Sequence, residues 1–283
     1  MDLIHLNSEL RAAIELARSK SLRVGFVPTM GALHDGHASL VKRALAETDF
    51  VVVSVFVNPL QFGEGEDFDR YPRALGVDAN LLAELGAHVL YSPAPSEIYP
   101  AGEPVAKLSA GALGEVFEGK SRPGHFDGML TVVNRLFDLV TPDVVYFGAK
   151  DAQQVALVRK MLKEQITQGK RPPIKLVECE TIRDGFGLAL SSRNRFLSAS
   201  ELEVARTISA ALESGAQHTL SHQAKAKALS ILSPEAKLDY LELVDADSFE
   251  VLDSSEGKKA RLIIACTVGQ TRLIDNLLID RTA

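Results

Sequence analysis

The run FVVVSVFV, which spans Phe50–Val57, constrains the fold more than any other part of the sequence. It is apolar at almost every position and rich in β-branched residues, so it predicts a strand. A strand with one face in water would alternate apolar and polar residues. This run therefore predicts a strand buried on both faces, as in a parallel sheet covered by helices. A chain of 283 residues with 46% hydrophobic content is large enough to build such a core.

Strands and helices alternate along the first two thirds of the chain. The predicted strands are Arg23–Val27, Phe50–Val57, His88–Tyr91, Val144–Phe147 and Ile174–Glu178. The predicted helices are an amphipathic one at residues 1–20 and those at Ala38–Glu47, Val77–Leu85, Thr131–Leu139 and Ala152–Lys163. This alternation is typical of right-handed βαβ units, so the fold class is α/β with a doubly wound parallel sheet.

The pattern changes after residue 181. Two helices are predicted at Ala199–Ser214 and Leu220–Leu232, followed by strands at Leu238–Val244, Ala260–Thr267 and Arg272–Leu278. No helix separates the last two strands, which predicts a smaller α+β C-terminal domain. We therefore expect domains at residues 1–181 and 182–283, with the glycine-rich segment Arg183–Gly187 as the linker between them.

Charge and composition exclude several classes of function. The chain has 31 Lys and Arg against 37 Asp and Glu, a net charge of −6, which argues against a general nucleic-acid or membrane-surface binder. No apolar stretch approaches the 18 or so residues that a membrane-spanning helix needs. Cys179 and Cys266 lack a CxxC partner, and the first twenty residues do not resemble a secretory leader. We expect reduced thiols and a cytoplasmic location.

The segment PTMGALHDGH, Pro28–His37, follows a predicted strand and leads into a predicted helix. His34 and His37 are one helical turn apart, where free backbone N–H groups and the helix dipole favour an anion. Two imidazoles could add donors to such a site. Taken alone, this spacing more often belongs to histidines that are satisfied locally on the surface or in the core. A zinc site is a weaker alternative, because no third ligand has suitable spacing.

Three further polar clusters follow predicted strands. They are VNPLQFG with Asn58 and Gln61, YFGAKDAQQ with Lys150, and LALSSRNR with Ser191, Ser192 and Arg193. Each alone fits a polar loop or a helix cap. Ligands of open α/β sheets bind outside the carboxyl ends of the strands, so together these clusters indicate one pocket. Their donors and cations suit triphosphate chemistry by positioning and charge neutralisation, without a P-loop.

These blocks, with RYPR at Arg70–Arg73 and SRPGHFDG at Ser121–Gly128, resemble in content and order those of the pantoate–β-alanine ligases, a family of the nucleotidylyltransferase superfamily. The resemblance implies a Rossmann-like fold and an ATP-dependent ligation in two steps. Pantoate first attacks the α-phosphate of ATP to give pantoyl adenylate and pyrophosphate, and β-alanine then displaces AMP. There are two alternatives. One is another adenylyl- or cytidylyltransferase, and the other is a nucleotide-sensing module without turnover.

The same resemblance implies a set of site residues. The catalytic residues would be His34, His37, Lys150, Ser191, Ser192 and Arg193. Further ATP contacts would come from Met30, Gly148, Asp151, Ile182 and Leu190, and pantoate contacts from Pro28, Met30, Gln61 and Gln154. Asp78 would help to hold Mg²⁺ on the phosphates. The expected partners are ATP, pantoate, β-alanine and a second copy of the chain in a homodimer. Residues 63–69 and 185–187 are expected to move over the adenylate.

Overall fold

The structure is a computed structural model that describes residues 1–63, 68–101 and 107–282. Residues 64–67, within the segment that we expect to move, therefore lie outside the described residues. The chain forms two compact units: Met1–Gly148 with Leu157–Cys179, and Ala149–Ala156 with Glu180–Ala283. The domain boundary at residues 181/182 stays a prediction. Nothing in the sequence indicated that Ala149–Ala156, which contains Lys150, would belong to the second unit.

The first unit is built on a six-stranded sheet in which all paired strands are parallel. Its strands are β1 (Asp2–Ile4), β2 (Val24–Thr29), β3 (Phe50–Val55), β4 (Val89–Tyr91), β5 (Val144–Gly148) and β6 (Lys175–Cys179). The helices of this part of the chain are α1 (Asn7–Ser19), α2 (Asp35–Glu47), α3 (Leu75–Leu85), α4 (Pro95–Ile98), α5 (Glu118–Ser121), α6 (His125–Val140) and α7 (Ala152–Thr167). The predicted α/β class with a parallel sheet is confirmed.

The order of the strands places a crevice at the centre of this sheet. It is β1-β4-β3-β2-β5-β6, so the connections reverse direction between β2 and β5. Ligands of doubly wound sheets bind outside the carboxyl ends of strands at such a reversal. The two segments that leave the sheet there are the loop after Thr29, which leads to His34, and Gly148 at the end of β5.

Helices cover both faces of the central strands, as the composition of β3 predicts. Val27 and Val53 share a buried cluster with Leu40 and Val41 of α2. On the opposite face, Phe26 of β2 meets Phe137 of α6 edge to face, with ring centroids 6.3 Å apart. Adjacent residues of one strand thus pack on different helices, which is why β2 and β3 are apolar at successive positions.

Several element bounds differ from the sequence prediction, and two boundaries and one strand have a clear physical reason. β2 continues through Pro28 to Thr29, because its pairing with β5 ends at Phe26 and the missing proline N–H costs no bond on that side. α6 begins at His125 rather than at Thr131, directly after Gly124 with φ of 77°. The helix predicted for residues 1–20 begins only at Asn7, and Asp2–Ile4 forms the short strand β1, since three residues carry too little periodicity to be recognised.

The second unit has α+β architecture, as predicted. α8 (Ala199–Gly215) and α9 (Ser221–Ile231) are followed by β7 (Lys237–Asp245), β8 (Lys259–Val268) and β9 (Thr271–Asp280). The strands form an antiparallel sheet in the order β7-β8-β9. Ile208 and Leu212 of α8 pack in one core with Leu243, Leu262 and Ile264 of the sheet.

Both cysteines are free thiols. Burial is the main reason that the pKa of Cys179 rises to about 11 and the pKa of Cys266 to about 12. Near neutral pH both groups are therefore protonated and poorly nucleophilic. Among the described residues, no helix is both long and apolar enough to cross a membrane.

His88, just before β4, makes the stability of the first unit depend on pH. Its Nδ1 accepts a hydrogen bond from Val51 N–H at 3.1 Å, and burial lowers the pKa of the imidazole. A lowered folded-state pKa means that the unfolded chain binds the proton more readily. The contribution of His88 to the free energy of unfolding is therefore fully present above the unfolded pKa of about 6.5, and it is lost as the pH drops below that value.

We expect His88→Asn, which keeps an acceptor but does not titrate, to flatten this part of the pH dependence. Urea unfolding of both proteins between about pH 5 and 7.5 would measure the slopes. Equal slopes in the parent and the variant would show that His88 does not cause this pH dependence of the unfolding free energy.

Candidate active site

The loop between β2 and α2 has an unusual backbone conformation that a buried carboxylate holds in place. Gly31 and Ala32 have φ of 85° and 53°, and a non-glycine residue rarely adopts such an angle. Asp78 of α3, 2% exposed, accepts hydrogen bonds from Ala32 N–H at 3.0 Å and Leu33 N–H at 2.8 Å. Both oxygens of Asp78 thus bind the loop that leads directly to His34.

The start of α2 determines which nitrogen of each histidine carries the proton. His34 caps the helix: its Nδ1 accepts from Gly36 N–H at 3.1 Å. His37 Nδ1 accepts in turn from His34 N–H at 3.4 Å. Since a backbone N–H only donates, both Nδ1 atoms need a lone pair, and the neutral rings carry their protons on Nε2. Two Nε2–H donors on rings 4.2 Å apart therefore stand at the amino end of a 13-residue helix, where an anion is favoured.

Gln61, a predicted substrate residue, is held at both ends of its amide group. Its Nε2 donates to the sulfur of Met30 at 2.9 Å, and its Oε1 accepts from Asn58 Nδ2 at 3.2 Å. Asn58 is 1% exposed and also bonds Gly128 O, while its Oδ1 accepts from the Tyr99 hydroxyl at 2.7 Å. The structure thus brings together Met30 and Gln61, two residues predicted to touch one substrate. Tyr99 carried no sequence signal for this role.

The segment Ser121–Gly128, for which the sequence indicated no function, binds the backbone of Gln61. His125 Nδ1 lies 2.8 Å from Gln61 O, and Arg122 Nη1 lies 3.1 Å from His125 Nε2. Arginine only donates, so Nε2 accepts and Nδ1 carries the proton that is donated to Gln61 O. Gly128 is required on steric grounds, since an added Cβ would lie 2.0 Å from Leu60 O. Sequence alone cannot show this pairing between distant segments.

The second unit presents the predicted cations and hydroxyls on two segments. Lys150 lies in the 3₁₀ turn Ala149–Asp151, with its Nζ 3.4 Å from Asp151 Oδ1. Gln154 follows in the first turns of α7. Ile182 and Leu190 are joined by a backbone hydrogen bond from Leu190 N to Ile182 O of 2.9 Å.

Ser191 caps the 3₁₀ turn Ser192–Phe196: its Oγ accepts from Arg193 N–H at 3.3 Å. The capping role that we considered for this cluster is therefore real, and it aligns Ser192 and Arg193 at the start of the turn. The remaining predicted residues lie in the first unit at the central strands. Pro28 is in β2 and Gly148 ends β5, where an added Cβ would meet no described atom within 4 Å.

Comparison with known proteins decides the family. The Pantoate-beta-alanine ligase profile matches residues 2–278. A pantothenate synthetase of Leifsonia xyli is 49% identical over 258 residues, covering 90% of this chain and 88% of its own. The chain belongs to the pantoate–β-alanine ligase family.

Solved structures of the family agree in fold. Pantothenate synthetase of Thermus thermophilus superposes with a TM-score of 0.88 at 43% identity, covering 98% of this chain and 99% of its own. The pantoate-β-alanine ligase of Francisella tularensis, solved with β-γ ATP and β-alanine, gives a TM-score of 0.79 at 37% identity, with coverages of 98% and 97%. The family resemblance of the sequence blocks is thereby confirmed.

Proposed function

We propose that this chain ligates pantoate to β-alanine at the expense of ATP. The observation that carries the proposal is the family match along residues 2–278, which includes all the polar clusters in order. The carboxylate of pantoate attacks the α-phosphate, and pyrophosphate leaves. The amine of β-alanine then attacks the carbonyl of the adenylate, which releases AMP and a proton and forms the amide of pantothenate.

His34 and His37 would act on the phosphates as neutral hydrogen-bond donors. Their Nδ1 atoms already accept backbone hydrogen bonds, so Nε2–H is the group that each ring offers to a phosphate oxygen. Donors fixed in advance by a helix cap cost no reorganisation when charge develops in the transition state. Met30, in the loop before them, would contact both ATP and pantoate.

Lys150, Ser191, Ser192 and Arg193 would neutralise and orient the phosphates. A lysine supplies a point charge, and hydroxyls with a guanidinium supply directed hydrogen bonds. Asp151 would bind a ribose hydroxyl. Gly148, Ile182 and Leu190 would contact the nucleoside through backbone and apolar groups.

Gln61 and Gln154 would bind pantoate through neutral amides, with Pro28 and Met30 shaping the pocket. Amides bind a carboxylate and hydroxyls without adding a cation that would lower the nucleophilicity of the carboxylate. The restraint of Gln61 by Asn58 and Met30 supports this role, because a fixed amide positions the attacking oxygen with little entropy cost.

Magnesium would enter the reaction bound to ATP. Mg²⁺ in such enzymes keeps water and substrate phosphates as ligands and takes one or two protein carboxylates. Asp78 does not suit that role in this structure, since it is buried and both oxygens bind backbone N–H groups. Among the described residues, no group of three His, Cys, Asp or Glu is placed to hold a metal. The two hydrogen bonds indicate instead that Asp78 holds the loop between β2 and α2, which leads to His34 and is called the histidine loop below.

Replacing Asp78 with asparagine tests this reading. One loop N–H would then face an amide NH₂ group, and a buried donor without a partner costs about 1–3 kcal/mol of unfolding free energy. We expect that loss together with slower pyrophosphate release, and an unchanged Mg²⁺ concentration at half-maximal rate. Glu84→Gln, at an exposed site of the same helix, is the control. A raised Mg²⁺ requirement in Asp78→Asn would show that Asp78 binds the metal.

We also propose that the protein is cytoplasmic, as its composition and cysteine usage indicate, and that it forms a homodimer, as the family resemblance implies. Sedimentation of the purified protein at several concentrations would test the dimer, and a concentration-independent monomer mass would exclude it.

A coupled assay with ATP, pantoate and β-alanine tests the proposed reaction. We expect pyrophosphate release to require pantoate, and pantothenate to form only when β-alanine is added. Pyrophosphate release without pantoate would favour another nucleotidylyltransferase. ATP binding without turnover under every combination would favour a nucleotide sensor. Either result would overturn the ligase proposal.

A further inference from the structure

Asn276 of β9 holds the turn that carries Lys150. Its Nδ2 donates to the carbonyls of Ala149 and Lys150, at 2.8 and 3.0 Å, and the residue is 5% exposed. A 3₁₀ turn of three residues has little hydrogen bonding of its own. One amide nitrogen bound to two successive carbonyls therefore restrains two peptide planes, and with them the direction in which the Lys150 side chain leaves the turn.

Arg261 of β8 determines the orientation of the Asn276 amide. Its Nη1 donates to Asn276 Oδ1 at 2.8 Å, and Arg261 is 4% exposed. Because a guanidinium only donates, the atom facing Arg261 must be the oxygen, and the NH₂ group must face the two carbonyls. The sheet register supports the contact: Asn276 lies opposite Ile263, two residues from Arg261 on the same face.

An ion pair between a partly exposed arginine and a buried carboxylate anchors β9 at the adjacent residue. Arg183 Nη1 and Nη2 donate to the two oxygens of Asp275, at 2.6 and 2.9 Å, and Asp275 Oδ1 also accepts from Asn276 N–H at 2.7 Å. Burial lowers the pKa of Arg183, but hydrogen bonding and the charge of Asp275 outweigh it, and the net pKa is raised. The guanidinium therefore stays charged and keeps its ion pair with Asp275. Asn276 is restrained through its backbone by Asp275 and through its side chain by Arg261.

We propose that Asn276, oriented by Arg261, is a positioning residue for Lys150 in the ligation reaction. The proposal rests on the phosphate-binding role that we propose for Lys150. Asn276 acts through the backbone of the turn, and it sets where the ammonium group meets the phosphates. The antiparallel sheet of the second unit thereby contributes to the ATP step.

The test compares Asn276→Leu, of similar size but without polar atoms, with the parent enzyme. A misplacement of about 1 Å in a positioning group can cost on the order of 10²-fold, so we expect a loss of that order in kcat/KM for ATP. Leu273→Ala, a core residue of the same strand, is the control for lost stability and should keep the parent kcat/KM while folded. If Asn276→Leu does not fold, Asn276→Ser replaces it in the same comparison.

A double-mutant cycle separates positioning from a general structural defect. If Asn276 acts through Lys150, Asn276→Leu should change kcat/KM by less than about twofold in a Lys150→Ala background. Losses that multiply would overturn the proposal, as would parent-level activity in Asn276→Leu alone. Parent-level activity in Lys150→Ala would instead overturn the proposed phosphate role, and the positioning role with it.

Discussion

His34→Asn is expected to lower the rate of pyrophosphate release about 10²–10³-fold while the free energy of unfolding stays at the parent value. Asparagine is a preferred N-cap and can accept from Gly36 N–H as Nδ1 does now, so α2 keeps its cap. The variant lacks the Nε2–H donor. Losing one preorganised donor to developing charge costs about 2.7–4 kcal/mol in the barrier.

His34→Ala is the matched control, because it removes both the donor and the cap. It should show the same kinetic loss and, in addition, a lower unfolding free energy by about 1 kcal/mol. Single-turnover pyrophosphate release and urea unfolding measure the two quantities separately. A parent-like rate in His34→Asn would mean that Nε2–H does not act on the phosphates.

Lys150→Ala is expected to reduce adenylate formation by a similar factor of about 10²–10³, because a fixed positive charge is lost at the phosphates. In the structure Lys150 pairs with the carboxylate of Asp151 at 3.4 Å, and exposed or partly exposed pairs add little stability. The variant should therefore unfold at nearly the parent urea concentration.

Lys160→Ala, which removes an exposed lysine of α7, has the same change in net charge and should keep the parent rate. Pantoate-dependent pyrophosphate release at saturating ATP is the measurement for both variants. Equal rates in Lys150→Ala and Lys160→Ala would show that the charge of Lys150 is not used in the reaction.

Elements with a strong local pattern were predictable from the sequence. β3 was recognised because its nearly unbroken run of apolar, β-branched residues fits a strand covered on both faces. β2 was predicted to end at Val27, but it extends through Pro28, because the chain is paired on one side only beyond Phe26. Strand pairing is a property of the tertiary structure. Whether a proline can lie within a strand depends on that pairing, so the sequence alone does not show it.

The site shows the same division. The polar clusters and their order were predictable from the sequence, because residue types and their order along the chain can be recognised without a structure. The clusters of Asn58 and Lys150 follow strands, whereas Ser191–Arg193 lies well beyond the end of β6. The role of Asp78 could not be predicted from the sequence, because its partners Ala32 and Leu33 are over forty residues away along the chain. The pairings of Asn276 with Ala149 and Lys150 span more than 120 residues and leave no trace in local spacing.

The sequence by itself determined the α/β class, the family and the inventory of donors and cations, since these depend on local periodicity and on residue types in order. Tertiary structure alone decided that Asp78 binds the histidine loop, that both imidazoles carry their protons on Nε2, and that Asn276 holds the Lys150 turn. The physical reason is that a polar side chain forms a hydrogen bond only with a group that the fold places at a suitable distance and angle. Residue type limits what a side chain can bind, and the fold brings one such partner within reach.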